Sequence, residues 1–94
     1  MVTTMLELKL FVQQKCPKCP AAKAVAEELK KRRNDVELRI LDISDRENYL
    51  TALMLQISST PAFSVGEETL FVGEVPTVDD LSRKLDEYSS QLKK

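Results

Sequence analysis

The alternation of apolar and polar residues along the chain predicts four strands. Residues 5–12 alternate at first and are then continuously apolar, which is typical of a strand that enters a core. Residues 36–42 alternate in the manner of a half-buried strand. Residues 61–65 and 69–72 are two shorter runs of strand-forming residues, and the Gly-Glu-Glu segment 66–68 is expected to join them as a hairpin.

Apolar periodicity and capping signals predict three helices. Residues 17–33 repeat apolar positions on one helical face. Residues 44–47 read Ser-Asp-Arg-Glu, which is the spacing of a capping box, and they predict a second helix that extends to about Gln56. Thr77 is the expected cap of a third helix, whose apolar residues keep the 3.6-residue period as far as Leu92.

The order βαβαββα predicts an α/β fold with a four-stranded mixed sheet and helices on both faces. The first βαβ unit requires two parallel strands with a right-handed crossover, and the hairpin adds antiparallel strands. The 94 residues are enough for one modest core, so we expect a single domain spanning residues 1–94. Glu7 and Lys9 fall on the first strand, and we expect them at its solvent-exposed starting end.

Composition and charge narrow the possible partners. The chain carries 14 Lys+Arg against 15 Asp+Glu, and its few aromatic residues follow no basic stripe, so we expect no nucleic-acid partner. No apolar stretch approaches the roughly 20 residues that span a bilayer. The N-terminus lacks the basic region and the cleavage site of a signal peptide. We therefore expect a cytoplasmic protein that is monomeric and makes no membrane contact.

The two cysteines of the chain, Cys16 and Cys19, lie three positions apart where the first strand gives way to the first helix. In a reducing compartment such a pair is more often catalytic or metal-binding than a structural staple. A helix N-terminus stabilises a thiolate, and Lys15 and Lys18 flank the first thiol, so we expect a depressed pKa for Cys16. Pro17 suits the first position of that helix.

The positions of the two thiols suggest different roles. Cys16 is the expected nucleophile that attacks a substrate disulfide. Cys19 should lie about one helical turn further on, less exposed, and should resolve the mixed disulfide. The redox-active disulfide itself is the only cofactor that this chemistry needs, and no metal is expected. The alternative for the same pair is two buried, inert thiols.

The Thr60-Pro61 dipeptide at the start of the third strand is the second candidate site. Local sequence alone favours an ordinary trans turn, because only about 5–6% of X–Pro bonds in folded proteins are cis. If this turn lies opposite the cysteines, the Thr60 backbone could pair with an incoming peptide as an added strand does.

These features together resemble the thioredoxin/glutaredoxin superfamily over essentially the whole chain. The resemblance covers a strand, a Cys-x-x-Cys that opens a helix, a Thr-Pro before the third strand and a final amphipathic helix. Within it, the chain looks closest to the short archaeal-type glutaredoxin-like thioredoxins that share Cys-Pro-x-Cys-Pro. The resemblance implies a thiol-disulfide oxidoreductase in which Cys16 is the nucleophile, Cys19 resolves, and Thr60, a cis Pro61, Pro17 and Lys18 contact the substrate.

The chain departs from both branches of that superfamily. Thioredoxins carry Trp before the first cysteine, where this chain has Lys15, and a buried Asp near the position of Leu10. Glutaredoxins usually have Tyr where Lys18 stands, and a Gly-Gly turn where this chain reads Gly73-Glu74. Glutathione is therefore not the obvious reductant. The expected partners are protein disulfide substrates and an electron donor, either a flavoprotein reductase or a low-molecular-weight thiol.

Two other functions remain open from the sequence. The first is a zinc or [2Fe–2S] site shared by two chains, because one chain offers only two cysteines and no histidine. The second is a thioredoxin-like fold used only for docking, against which the retained Cys-x-x-Cys argues.

Overall fold

The computed structural model describes residues 6–92 and confirms the predicted βαβαββα order. The strands are β1 (Leu6–Val12), β2 (Val36–Asp42), β3 (Ala62–Val65) and β4 (Glu68–Val72), and the helices are α1 (Cys19–Arg32), α2 (Arg46–Met54) and α3 (Val78–Leu92). The sheet has the order β2-β1-β3-β4. β1 runs parallel to β2 and antiparallel to β3, and β3 and β4 form the predicted hairpin. Met5, which we assigned to the first strand, lies outside the described residues.

The larger part of the core lies between one face of the sheet and the helices α1 and α3. Alternate residues of β1 point into it because side chains of a strand alternate between faces. Phe63 of β3 meets Phe71 of β4 there, with the rings 6.4 Å apart and nearly perpendicular. The buried members of this cluster are Leu6, Leu8, Leu10, Val12, Cys19, Ala22, Ala26, Leu29, Val36, Phe63, Val65, Leu81 and Leu85.

On the opposite face of the sheet, α2 covers only the part that contains Phe11 of β1 and Ala62 of β3. Phe11, Ala52, Ile57 and Ala62 form a second buried cluster there. The predicted mixed sheet with helices on both faces is therefore confirmed. Within residues 6–92, none of the helices is long and apolar enough to cross a membrane.

Glu7 and Lys9 lie on the part of this second face that α2 leaves open. Both are half-buried, so the expectation that they mark an exposed strand end is only partly met. The Lys9 ammonium lies 3.4 Å from a Glu7 carboxylate oxygen and 3.4 Å from the Gly66 carbonyl oxygen, and Arg39 contacts Glu7 at 3.3 Å. Their charges are thus paired on a partly covered sheet surface.

The first helix begins later than the sequence predicted. α1 starts at Cys19 with Lys18 as its N-cap, and Pro17 lies in the preceding turn instead of the first helical position. Pro20 explains the shift. It has no N–H to donate to the Cys16 carbonyl, which instead accepts a 3.4 Å hydrogen bond from the Cys19 amide.

The second helix also differs at its ends. Its N-cap is Asp45, whose side chain accepts a 3.0 Å hydrogen bond from the Glu47 amide, whereas the capping box predicted Ser44. The Ser44 amide instead donates to the Asp42 carboxylate over 2.8 Å. The helix ends at Met54, before the predicted Gln56, which has a left-handed φ of 60°. The predicted Thr77 cap of α3 is confirmed by a 3.0 Å bond to its hydroxyl from the Asp80 amide.

Candidate active site

Cys16 and Cys19 form a disulfide at the N-terminus of α1, with their Cα atoms 5.4 Å apart. The Cys19 amide donates a 3.4 Å hydrogen bond to the Cys16 carbonyl and closes the turn between them. Cys16 is half-buried, whereas Cys19 keeps only 4% of its surface exposed and belongs to the main core. An incoming group can therefore reach the sulfur of Cys16 more easily than that of Cys19.

The surroundings of Cys16 are electropositive. It lies at the N-terminal end of α1, where the helix dipole places partial positive charge, and no acidic residue occupies the first turn. The Lys18 N-cap makes no side-chain capping bond. Lys15 and Lys18 are both exposed. Lys15 has a left-handed φ of 63°, a conformation that residues other than glycine seldom adopt.

The Thr60–Pro61 segment lies at the same edge of the sheet as the disulfide. Ala62 pairs with Phe11, so Pro61 comes directly beside the end of β1 that leads to Cys16. The Thr60–Pro61 peptide bond is cis, as the resemblance implied. Pro61 is buried, and the Thr60 hydroxyl is buried without a hydrogen-bond partner among residues 6–92.

Gly73 connects the end of β4 to this segment, a role that the sequence analysis missed. Its amide donates a 2.8 Å hydrogen bond to the Pro61 carbonyl, and its φ is 75°. In the sequence, the glycine itself was the only signal of this role. Whether its amide reaches the Pro61 carbonyl depends on how β3 pairs with β4, which the sequence does not show. Glu74 follows Gly73 in the chain and is exposed.

Asp79 and Asp80, the other acidic residues near this loop, have partners within α1 and α3. Asp80 forms an ion pair with Arg83 at 3.3 Å, and an Asp79 oxygen lies 3.9 Å from Arg32. Their positions in the first turn of α3 favour its dipole. Both carboxylates therefore have a cationic neighbour and lie at the helix end that favours negative charge.

Asp42 at the end of β2 places a carboxylate-bearing residue opposite Val12, the last residue of β1. Hydrogen bonds from Ser44 hold the pKa of Asp42 below its usual value, and the charge of Lys23 adds to this. Two residues before the end of β1, buried Leu10 pairs with Ile40 of β2, so neither strand supplies a carboxylate at this pair. Among the residues that the structure describes, no three His, Cys, Asp or Glu side chains are grouped to hold a metal ion.

Proteins of the thioredoxin-fold dithiol class combine a disulfide at the N-terminus of α1, a cis proline directly before β3 and the strand order β2-β1-β3-β4, and this chain has all three. A family model described as the thioredoxin domain matches residues 6–86, and the chain belongs to this family. A thioredoxin domain that carries the Cys16–Cys19 pair at disulfide distance supports a thiol–disulfide redox role. No curated protein sequence matches the chain.

Solved thioredoxin structures have the same fold. Thioredoxin f2 of Chlamydomonas reinhardtii superposes with a TM-score of 0.69 at 17% identity, covering 92% of this chain and 81% of that one. Oxidised thioredoxin O1 of Arabidopsis thaliana gives 0.68 at 23% identity, with 89% and 78% covered. Thioredoxin-2 of the malaria parasite, described as a component of its protein secretion machinery, gives 0.71 at 15% identity, with 93% and 86% covered.

Proposed function

We propose that the protein is a dithiol–disulfide oxidoreductase that reduces disulfides in other proteins. The observation that carries the proposal is the disulfide between a half-buried Cys16 and a buried Cys19 at the positive end of α1. A buried structural pair has no need of that electrostatic setting, whereas a thiol that must react as thiolate does. A reducing compartment suits this activity, and we propose the cytoplasm.

The reaction begins with both cysteines reduced. The Cys16 thiolate attacks one sulfur of a target disulfide, so that bond breaks and the other target sulfur leaves as a thiolate that takes up a proton. Cys19, once deprotonated, then attacks the Cys16 sulfur. The intermolecular disulfide breaks, the Cys16–Cys19 disulfide forms, and the target leaves with both of its sulfurs reduced. Two electrons pass from the chain to the target.

The residues around the pair have distinct roles in this proposal. The dipole of α1, together with Lys15 and Lys18, lowers the pKa of Cys16. The backbone of Thr60 pairs with the target peptide, with Pro61 beside it, in the manner of strand addition. Pro17 and Lys18 form the opposite side of the contact.

The electron donor must return two electrons to the oxidised pair, and we propose a flavoprotein reductase or a low-molecular-weight thiol. Glutathione carries carboxylates, and exposed Glu74, which follows the glycine bonded to Pro61, repels a carboxylate that docks near it. We therefore expect a reductase to be the more efficient donor. A coupled assay that compares the two donors at equal electron supply tests this.

Reduction of insulin disulfides with dithiothreitol tests the activity itself. We expect the wild-type chain to accelerate the reaction and Cys16→Ser to remove the acceleration. Cys19→Ser should accumulate a covalent complex with the target, because the mixed disulfide can no longer be resolved. Trapping by Cys16→Ser instead would reverse the roles, and no acceleration at all would favour a docking module. Visible absorbance in a purified dimer would favour the shared-cluster alternative.

A further inference from the structure

Lys15 and Lys18, here called the lysine pair, are cations without a counter-charge in the part of the chain that the structure describes. Among residues 6–92, no carboxylate lies within 4.0 Å of either, and both are exposed. Lys23, further along α1, is close enough to Asp42 to lower its pKa. The cations with a carboxylate partner are Lys9, Arg32, Arg33, Arg39, Arg83 and Lys84. Lys23, Lys30, Lys31 and Arg46 also lack one within 4.0 Å among residues 6–92, but of these six cations only the lysine pair adjoins the disulfide in sequence.

Both members of the lysine pair stand where the fold disfavours them. Lys15 has a left-handed φ of 63°, which costs a residue with a side chain about 1–2 kcal/mol. Lys18 is the N-cap of α1, and a cation at that end opposes the dipole by about 0.3–1 kcal/mol. Lys30 and Lys31, in contrast, occupy the last turn, where the dipole favours them. The stability of the fold therefore gives no reason for the lysine pair.

An exposed carboxylate follows the glycine that is bonded to the Thr60–Pro61 segment. Glu74 is exposed and follows Gly73, which is bonded to the Pro61 carbonyl. If the target peptide pairs along Thr60, as proposed above, we expect the lysine pair on its α1 side and Glu74 on its β4 side. One side of the reactive cysteine in the target therefore meets positive charge, and the other side meets negative charge.

We propose that the lysine pair and Glu74 select target disulfides by charge, favouring protein segments with acidic residues on the side of the target cysteine that faces α1. This rests on the proposed function and names its substrate class. Opposed charges at a contact speed association, and the effect falls as salt screens it. Acidic residues on the Glu74 side should give no advantage.

The test uses pre-reduced protein in single-turnover reactions, so that the Cys16 and Cys19 thiols supply both electrons. The probes are disulfide peptides of equal length with acidic, neutral or basic residues on one side of the target cysteine, and an isomer with the acidic residues on the other side. We expect one acidic isomer to react about tenfold faster than the basic peptide at low salt. The advantage should shrink at about 0.5 M salt, where the Debye length is only several ångströms.

The lysine pair is tested by the ratio of acidic to basic peptide rates, because a change in the Cys16 pKa alters both rates alike. In Lys15→Gln/Lys18→Gln this ratio should fall toward one. Lys30→Gln/Lys31→Gln loses the same charge at the far end of α1 and should keep the ratio. Glu74→Gln should speed the slower acidic isomer. Equal rates for all peptides with the wild-type chain would contradict the selection by charge but not the proposed reductase activity. No reduction of any peptide would contradict both.

Discussion

The amide of Gly73 donates a 2.8 Å hydrogen bond to the carbonyl of Pro61, and so holds the end of β4 against the segment that precedes β3. Gly73 has a φ of 75°, and a Cβ added to it would lie 3.2 Å from the Cβ of Ser59. A side chain at this position is therefore disfavoured both by its own backbone and by its neighbour. The shape of the candidate substrate contact depends on this glycine.

We expect Gly73→Ala to destabilise the protein by about 1–2 kcal/mol, because the left-handed conformation penalises any Cβ. The loop must also shift away from Ser59, which displaces Pro61 and slows reduction of protein disulfides. Urea unfolding measures the first effect, and single-turnover insulin reduction measures the second. Glu74→Ala at the next, exposed position is the control for stability and should unfold at the wild-type urea concentration. A Gly73→Ala protein as stable as wild type would contradict this account.

Arg33 ties the end of α1 to α3, and its loss should cost more than that of its neighbour Arg32. The Arg33 guanidinium contacts the Asp35 carboxylate at 2.8 Å, the Ser82 hydroxyl at 2.8 Å and Asp86 at 3.0 Å, with its side chain only 15% exposed. We expect Arg33→Met to cost about 2 kcal/mol, since one hydrogen bond to a charged group contributes about 1.5–3 kcal/mol. The partners Asp35 and Asp86 are 41% and 68% exposed, so solvent reduces what their ion pairs add.

The matched control for that change is Arg32→Met. Arg32 pairs with Glu28 at 3.0 Å, but its side chain is 56% exposed, and exposed pairs contribute at most about 1 kcal/mol. Urea unfolding of both variants checks the contrast. Equal losses of unfolding free energy in the two variants would mean that the contacts of Arg33 stabilise the protein no more than the exposed Arg32–Glu28 pair does.

The Arg33 network should also make stability depend on pH in the acidic range. The hydrogen bond from Arg33 holds the pKa of Asp35 below its usual value, and the charge of Arg33 acts in the same direction. A carboxylate whose pKa is lower in the folded state contributes stability above its unfolded pKa and loses it as pH falls through the folded pKa. The difference in unfolding free energy between wild type and Arg33→Met should therefore be constant above about pH 5 and shrink below about pH 4. A constant difference down to pH 2.5 would contradict it.

Alternation was enough to predict β1, because one face of this strand is buried without exception. The mixed pairing followed from the βαβ unit and the hairpin signal, whereas the strand order was not predicted. Local chemistry was less reliable at helix ends. Ser44 and Asp45 are both good caps, and the choice between them depends on where Asp42 leaves the sheet. The bond from Gly73 to Pro61 depends on strand pairing, and the left-handed φ of Lys15 has no sequence signal in a lysine. These two features of the candidate site could not be predicted from the residues alone.

The cap of α2 can be tested directly because sequence and structure favour different residues. We expect Asp45→Ala to cost about 1 kcal/mol, since the Glu47 amide loses its acceptor. Ser44→Ala should cost much less, because Ser44 bonds to Asp42 through its amide, which alanine retains. Thermal unfolding of both variants decides between the caps. A larger loss of stability for Ser44→Ala would support Ser44, the residue that the capping box predicts, as the cap of α2.

The backbone of Lys15 provides the last prediction, an increase in stability. Glycine adopts the φ of 63° without the cost that a side chain imposes, although its freer unfolded chain offsets part of the gain. We expect Lys15→Gly to raise the unfolding free energy by about 0.5–1 kcal/mol. Lys15→Ala is the matched control, because it removes the same charge but keeps a Cβ in the left-handed conformation. It should therefore show no such gain in urea unfolding. Equal gains in both variants would assign the effect to the charge of Lys15, and no gain in either would mean that the left-handed conformation costs this position nothing.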